Sequence, residues 1–153
     1  MIMTAKTRER ATIIKEFGEL TAAELYEIMK ARFKVFVMEQ RCWYLDFDDI
    51  DYACVHIFIC EGTEVIAYAR LFAEEEEGVW HIGRVLSTRR GEGLGRDVMT
   101  RTMEEARRRG AKTLRLDSQS YAAGFYERLG FCVCSAEFEE AGIMHVRMDL
   151  KTG

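Results

Sequence analysis

Arg89-Arg90-Gly91-Glu92-Gly93-Leu94-Gly95-Arg96 lies between a strand-like run, Trp80 to Leu86, and a helix-like run, Leu94 to Arg109. The glycines therefore sit at a strand-to-helix turn. Glycine lets the backbone take positive φ and approach a ligand closely. The first turn of a helix carries unpaired N–H groups at the positive end of its dipole. Together these features make an anion site, most often for phosphate. Three phosphate loops compete for the stretch. A P-loop needs Gly-Lys followed by Ser or Thr, which is absent. A dinucleotide fingerprint counted from Gly91 would put its last glycine on Arg96. The remaining pattern, Arg/Gln-x-x-Gly-x-Gly/Ala, is met by Arg90, Gly93 and Gly95. A plain glycine turn is the alternative, because glycine clusters commonly mark loops.

Outward from this turn, the chain reads as an alternation of strands and helices. Thr12 to Phe17 suits a first strand ended by Gly18. Thr21-Ala22-Ala23-Glu24 has the form of a capping box, with apolar residues at helical spacing running towards Val37. Cys54 to Cys60 and Val65 to Phe72 flank the turn Glu61-Gly62-Thr63-Glu64 and predict a hairpin. Glu74 to Glu77 reads as a solvent-exposed charge run. The helix after the glycine turn sets Leu94, Val98, Met99, Thr102, Met103 and Ala106 on one face and ends at Gly110. Thr113 to Asp117 is the next strand, and Tyr121 to Leu129 a short helix stopped by Gly130. Phe131 to Phe138 and Ile143 to Leu150 close the chain as a hairpin. The order β-α-β-β-β-α-β-α-β-β predicts a mixed α/β sheet with helices on its faces and a β-α-β crossover around the glycine turn.

Composition narrows the function. A chain of 153 residues, 48% apolar and 31% charged, suits a single domain, 1–153, with a proper core. Its net charge of −4 gives no overall pull on nucleic acid. No apolar run approaches the roughly 20 residues that span a membrane, and Met1 to Arg10 lacks a signal-peptide core. Five cysteines with neither a CxxC pair nor a zinc spacing predict no metal site. Cys54, Cys60, Cys132 and Cys134 fall in strand-like runs, where free thiols act as small hydrophobes. They read as reduced, which predicts a cytoplasmic protein. Asp46, Asp48, Asp49 and Asp51 form an acidic cluster with two readings, a solvated loop or a rim that attracts a cationic amine.

Arg90-x-x-Gly93-x-Gly95 is followed in register by Ala122-x-x-Phe125-Tyr126-Glu127-x-x-Gly130-Phe131. The pair resembles the two signatures of the GCN5-related N-acetyltransferases (GNATs), with Gln119 where many members have asparagine. Within that superfamily the chain looks most like the ElaA/YjcF-type acetyltransferases. The residues that carry this likeness are Arg32-x-x-Val35-Phe36-Val37-x-Glu39-Gln40, Asp51-x-x-Cys54-x-His56 and Ile82-Gly83-Arg84-Val85. Ser118-Gln119-Ser120-Tyr121 and the stretch Glu140 to Val146 complete it. The resemblance covers most of the chain. It implies a mixed, mostly antiparallel sheet of about six to seven strands whose central crossover binds acetyl-CoA.

The resemblance also implies a mechanism, in which acetyl-CoA is the co-substrate and a small primary amine the acceptor. Strands Trp80–Ser87 and Thr113–Asp117 would splay to admit the donor. Backbone groups of Val85, Leu86 and Ser87 would pair with its pantetheine arm. Arg90, Gly91, Glu92, Gly93, Leu94, Gly95 and Arg96 would form the pyrophosphate loop, with Gln119 and Phe125 alongside. Tyr126 would protonate the leaving thiolate, and Glu39, then His56, then His145 are the candidate bases. Each of these has a structural reading beside it, as a packed tyrosine or a satisfied polar group. A homodimer through the final hairpin is compatible with the pattern. Two other functions remain, a non-catalytic acyl-CoA sensor and a peptide or protein N-acetyltransferase, since fold does not fix function. The acyl-homoserine-lactone synthases share a similar start but not the full signatures.

Overall fold

The computed structural model describes residues 8–152. The leader-free reading of Met1 to Arg10 thus falls largely outside the described residues. Eight strands form one sheet in the order β1-β2-β3-β4-β5-β8-β6, with β7 on another stretch of β8. They are β1 (Arg10–Glu16), β2 (Val55–Glu61), β3 (Glu64–Ala73), β4 (Val79–Ser87), β5 (Thr113–Gln119), β6 (Cys132–Val133), β7 (Phe138–Glu140) and β8 (Ile143–Lys151). The helices are α1 (Ala22–Arg32), α2 (Leu94–Arg108) and α3 (Ala123–Arg128). Every pairing is antiparallel except β4 with β5, the two strands joined through α2.

Local sequence explains most of these elements. Thr21 caps α1 reciprocally, its Oγ1 accepting from Glu24 N–H while Glu24 accepts from Thr21 N–H. The apolar stripe foreseen on α2 is buried in full. It packs with Ile57, Ile66, Ile82, Leu114, Leu116 and Met148 on one face of the sheet. On the opposite face α1 packs Ile28 and Ala31 against Phe58, Tyr68 and Leu86. Past Arg32 the helix widens into a π-helical stretch, Phe33–Glu39.

Two expectations fail near the carboxyl end. Phe131 to Phe138 is not one strand: β6 stops at Val133, and pairing with β8 resumes at Phe138. Ser135 Oγ takes the Arg147 N–H at 2.8 Å, a donor the ladder would otherwise use, and the intervening residues loop out. Cys132 and Cys134 are consequently exposed, whereas Cys42, Cys54 and Cys60 are buried as small hydrophobes. All five are free thiols.

The parallel pair is short. Val79, Trp80 and His81 pair with Thr113, Leu114 and Arg115, and beyond that the two strands diverge. A bulge lies at the point of divergence. Tyr68 opposes Leu86 and Arg70 opposes Gly83, so Arg84 and Val85 together face Ala69. Arg84 takes φ 53°, a left-handed value uncommon for a side-chain-bearing residue.

What holds Arg84 there is a charge network. Arg84 Nε lies 2.7 Å from Asp46 Oδ1, and its guanidinium packs over the Tyr44 ring. Arg32, only 2% exposed, pairs with Asp46 at 2.8 Å and Asp51 at 2.7 Å. Arg70 binds Asp48 through two hydrogen bonds of 2.7 Å and reaches Asp51 at 3.1 Å. Three of the four clustered aspartates are therefore neutralised internally by arginines from α1, β3 and β4. This corrects both readings of the cluster, as a solvated loop and as a rim attracting cations. Burial pushes the Asp48 carboxyl up, but the Arg70 hydrogen bond and the charges of Arg70 and Arg84 outweigh it and hold the group at about 2. An unfolded aspartate titrates near about 3.9. A depressed folded value contributes stability above that pH and loses it on acidification. Urea midpoints measured from about pH 5 down to about pH 2 should therefore fall steeply in the native sequence. In Asp48→Asn that part of the slope should flatten.

Candidate active site

The donor side of the site starts where β4 ends. Thr88 N–H still bonds Ile66 carbonyl at 2.9 Å, continuing the pairing to β3. Ser87 Oγ donates to Arg89 carbonyl at 2.6 Å, so its side chain shapes the turn. Gly91 and Gly93 take φ 77° and 72°, and a Cβ on either would meet nothing within 4 Å. Gly93 precedes α2, whose amino end carries no side-chain cap. The N–H groups of Leu94, Gly95 and Arg96 thus have no intrahelical acceptor. Arg90 is exposed and has no ion-pair partner among the described residues. Arg89 is held by Glu61, and the Glu92 carboxylate by Arg10. An open glycine turn before an uncapped fifteen-residue helix has the donor set a pyrophosphate needs.

Beneath the turn, Phe125 reaches within 3.5 Å of where a Gly95 side chain would begin, which packs α3 against the first turn of α2. Tyr126 stacks edge-on to Phe125 and Phe131. It lines the gap between β4 and β5. Burial pushes its phenol well above the ordinary tyrosine range, so the proton stays on Oη at neutral pH. Its hydroxyl has no protein partner among the described residues. Gln119 donates to Gln40 Oε1 at 2.9 Å and accepts from Tyr121 Oη, which ties the end of β5 to the segment after the π-helical turn.

The gap opens into a cleft of about 460 Å³. One wall comes from Phe36, Cys42, Tyr44, Leu45 and Ile50, and another from Glu140, Ala141 and His145 of the β7–β8 hairpin. Val85, Ser118, Gln119 and Tyr126 also line it. Of the three candidate bases the cleft contains one. Glu39 lies outside it, in a separate recess of about 190 Å³ with Lys34 and Arg89. His56 is buried with both nitrogens engaged, accepting from Tyr68 Oη at 2.6 Å and donating to Asp51 carbonyl at 3.0 Å. Burial pushes its pKa down, which keeps it neutral. Glu39 and His56 thus both lie away from the cleft lining. His145 does face the cleft, its Nδ1–H donating to Ile143 carbonyl at 2.7 Å.

Sequence reading missed one pair altogether. His81, half-buried on the cleft floor, holds Glu74 Oε1 at 2.8 Å through Nδ1. Glu74 had been assigned to a solvated run, but Glu74 and Glu76 both pair with Arg115. Glu74 and His81 are seven residues apart, at the ends of neighbouring strands. The alternation of the β3–β4 hairpin was the available signal. Among the described residues, no group of three or more His, Cys, Asp or Glu is placed to hold a metal. No described helix is long and apolar enough to cross a membrane.

A glycine turn at a helix start, beside two parallel strands that part, suits a phosphate-bearing ligand. Comparison with known proteins makes this the fold of an acyl-CoA-dependent acyltransferase. The model of the acetyltransferase (GNAT) domain matches residues 14–152. A UPF0039 protein of Schizosaccharomyces pombe is 39% identical over 144 residues, covering 91% of this chain and 95% of that one. ElaA of Escherichia coli is 34% identical over 137 residues, 86% of this chain and 90% of its own. Its crystal structure superposes with a TM-score of 0.87 over 94% of this chain and 100% of that one. An acyl-CoA N-acyltransferase from Pseudomonas aeruginosa, 32% identical, gives 0.86 over 93% of this chain and 99% of that one. The chain belongs to the GNAT acetyltransferase family, and within it to the ElaA type.

The left-handed turn can be tested directly. Alanine at position 93 meets no neighbour, so its cost is the strain of positive φ, about 1–2 kcal/mol. Urea denaturation of Gly93→Ala should show a loss of that size. Gly18→Ala, equally open but without positive φ, should stay within about 0.5 kcal/mol of the native protein.

Proposed function

We propose that this protein is an acetyl-CoA-dependent N-acetyltransferase that passes the acetyl group directly to a primary amine of a small molecule. The observation that carries this reading is continuity. The uncapped start of α2 and the cleft lie at either end of the stretch of β4, Val85 to Ser87, that β5 leaves unpaired. Bound acetyl-CoA supplies an activated acyl group whose C–S bond breaks as the amine nitrogen takes the acyl carbon.

The residues of this chain do the rest. N–H groups of Gly91, Gly93, Gly95 and Arg96, with the side chain of Arg90, hold the pyrophosphate. Main-chain groups of Val85, Leu86 and Ser87 hold the extended arm, because β5 has moved away from them. Tyr126 Oη–H gives its proton to the departing sulfur, a role supported by its position on the gap and its retained proton. The cleft volume is in the range of small-molecule sites, which favours a small amine over a peptide. Of the bases named from sequence, His145 retains access to the acceptor. A non-catalytic acyl-CoA sensor would have no use for a phenol aimed into the gap.

Two measurements test this. Acetyl-CoA and CoA, but not ATP or NAD, should raise the melting temperature, with about 2.7 kcal/mol of stabilisation at a hundredfold excess over Kd. No shift with either CoA ligand would remove the donor site. Tyr126→Phe should lower kcat by about a hundredfold or more while retaining the acetyl-CoA shift. Unchanged turnover would take Tyr126 out of the mechanism.

A further inference from the structure

We propose that His81, oriented by Glu74, is the group that takes the proton from the incoming amine. The inference rests on the N-acetyltransferase reading and assigns the base within it. His81 is the last residue of β4 to pair with β5 before the strands part, so it stands at the apex of the gap. Nδ1–H donates to Glu74 at 2.8 Å. Glu74 is itself pinned by Arg115 at 3.2 Å, and Arg115 by Asp149 at 2.8 Å. The imidazole stacks on Phe72 with ring centroids 5.0 Å apart. Its orientation is therefore set on two sides. Nε2, the acceptor nitrogen of this tautomer, has no protein partner among the described residues.

The neighbouring backbone keeps that edge open. A side chain at Gly83 would stand 3.8 Å from His81 Cδ2, the carbon bonded to Nε2, and 3.7 Å from Arg70 Nε. Glycine at this position leaves a space between the imidazole and the bulge at Arg84 and Val85. An amine entering there meets Nε2 on one side and the start of the donor gap on the other. In the step itself the ammonium N–H bond breaks and an Nε2–H bond forms. The nitrogen lone pair is freed for attack, and the Glu74 carboxylate offsets the charge on the imidazolium. The second N–H proton, lost as the amide forms, replaces the one that Tyr126 gives to the departing sulfur. The charged groups around His81 are Arg70 of β3, Glu74 and Glu76 of the turn that follows it, Arg115 and Asp117 of β5 and Asp149 of β8. His145 spends its Nδ1–H on a main-chain carbonyl and has no such carboxylate.

The test compares an amine that must lose a proton before it can attack with one that attacks already neutral. Transfer from radiolabelled acetyl-CoA is measured at neutral pH to benzylamine, which is protonated there, and to aniline, which is neutral. The native protein, His81→Gln, Glu74→Gln and His145→Gln are assayed, each with its acetyl-CoA melting shift. His81→Gln should keep the shift and lower the benzylamine-to-aniline ratio of kcat/KM by about a hundredfold. Glu74→Gln should lower the same ratio by a smaller factor. Equal losses on both amines would make His81 structural and overturn the assignment. A selective loss in His145→Gln alone would move the role there. An acetyl-CoA shift with no transfer to either amine by the native protein would count against the transferase reading itself, and the base would fall with it.

Discussion

The buried guanidinium of Arg32 is the constraint on which the acceptor half of the molecule depends. At 2% exposure it has no access to bulk water, and its charge is met by Asp46 and Asp51. Arg70 and Arg84 bring two more positive charges, and Asp48 completes the balance at three against three. Removing one partner of such a set leaves an uncompensated buried charge, at a cost of about 3–5 kcal/mol. The loop of residues 41–51 has little regular structure to hold it, so these ion pairs do the work that strand pairing does elsewhere. His56 belongs to the same arrangement, bracing Tyr68 beneath Arg32 and the Asp51 carbonyl at the loop's end.

The network also links the two halves of the site. Arg84 sits in the left-handed backbone of the bulge, and its side chain is gripped by Asp46 and Asp48. The bulge bends β4 where β5 departs, so the charges that fix the acceptor wall also fix the donor gap. The hallmark residues Arg32, Asp51, His56 and Arg84 therefore act mainly as architecture.

Legibility in the sequence followed the range of the interactions. The glycine turn, the apolar face of α2 and the capping box at Thr21 are local, and each was readable from neighbouring residues. The splay of β4 from β5 was expected from the two GNAT signatures, not from periodicity. Ion pairs between residues 14 to 38 apart, such as Arg32 with Asp46 and Arg84 with Asp46, leave no local trace. The aspartates consequently read as solvated or substrate-facing. Glu74 was hidden in a run of four glutamates for the same reason. The positions of Glu39 and His56 relative to the cleft were not legible, because helix phase past Arg32 shifts in the π-helical stretch and because a strand residue's burial depends on what packs above it. The split of the final hairpin turned on Ser135, whose hydroxyl competes with the ladder in a way that propensity does not encode.

The distribution of charge over the cleft constrains how an acceptor can be chosen. Helix α1 covers β2 and β3 on its face of the sheet, so the polar side chains of β4, β5 and β8 face the cleft region. Nearly all are matched there: Arg115 with Glu74 and Asp149, Arg147 with Asp117, and the three arginines with the aspartates of the loop. Paired charges at these distances cancel beyond about a Debye length, roughly 8 Å at physiological salt. Long-range steering of a charged ligand by these paired groups is therefore weak. Selectivity at the cleft then falls to contact, with a lining that is apolar at Tyr44, Leu45, Ile50 and Phe72 and polar at Gln40, Ser118 and Gln119. The apolar part separates one methylene from the next by only about 1–3 kcal/mol, whereas a buried hydrogen-bonding group rejects an analogue that cannot pair with it far more strongly.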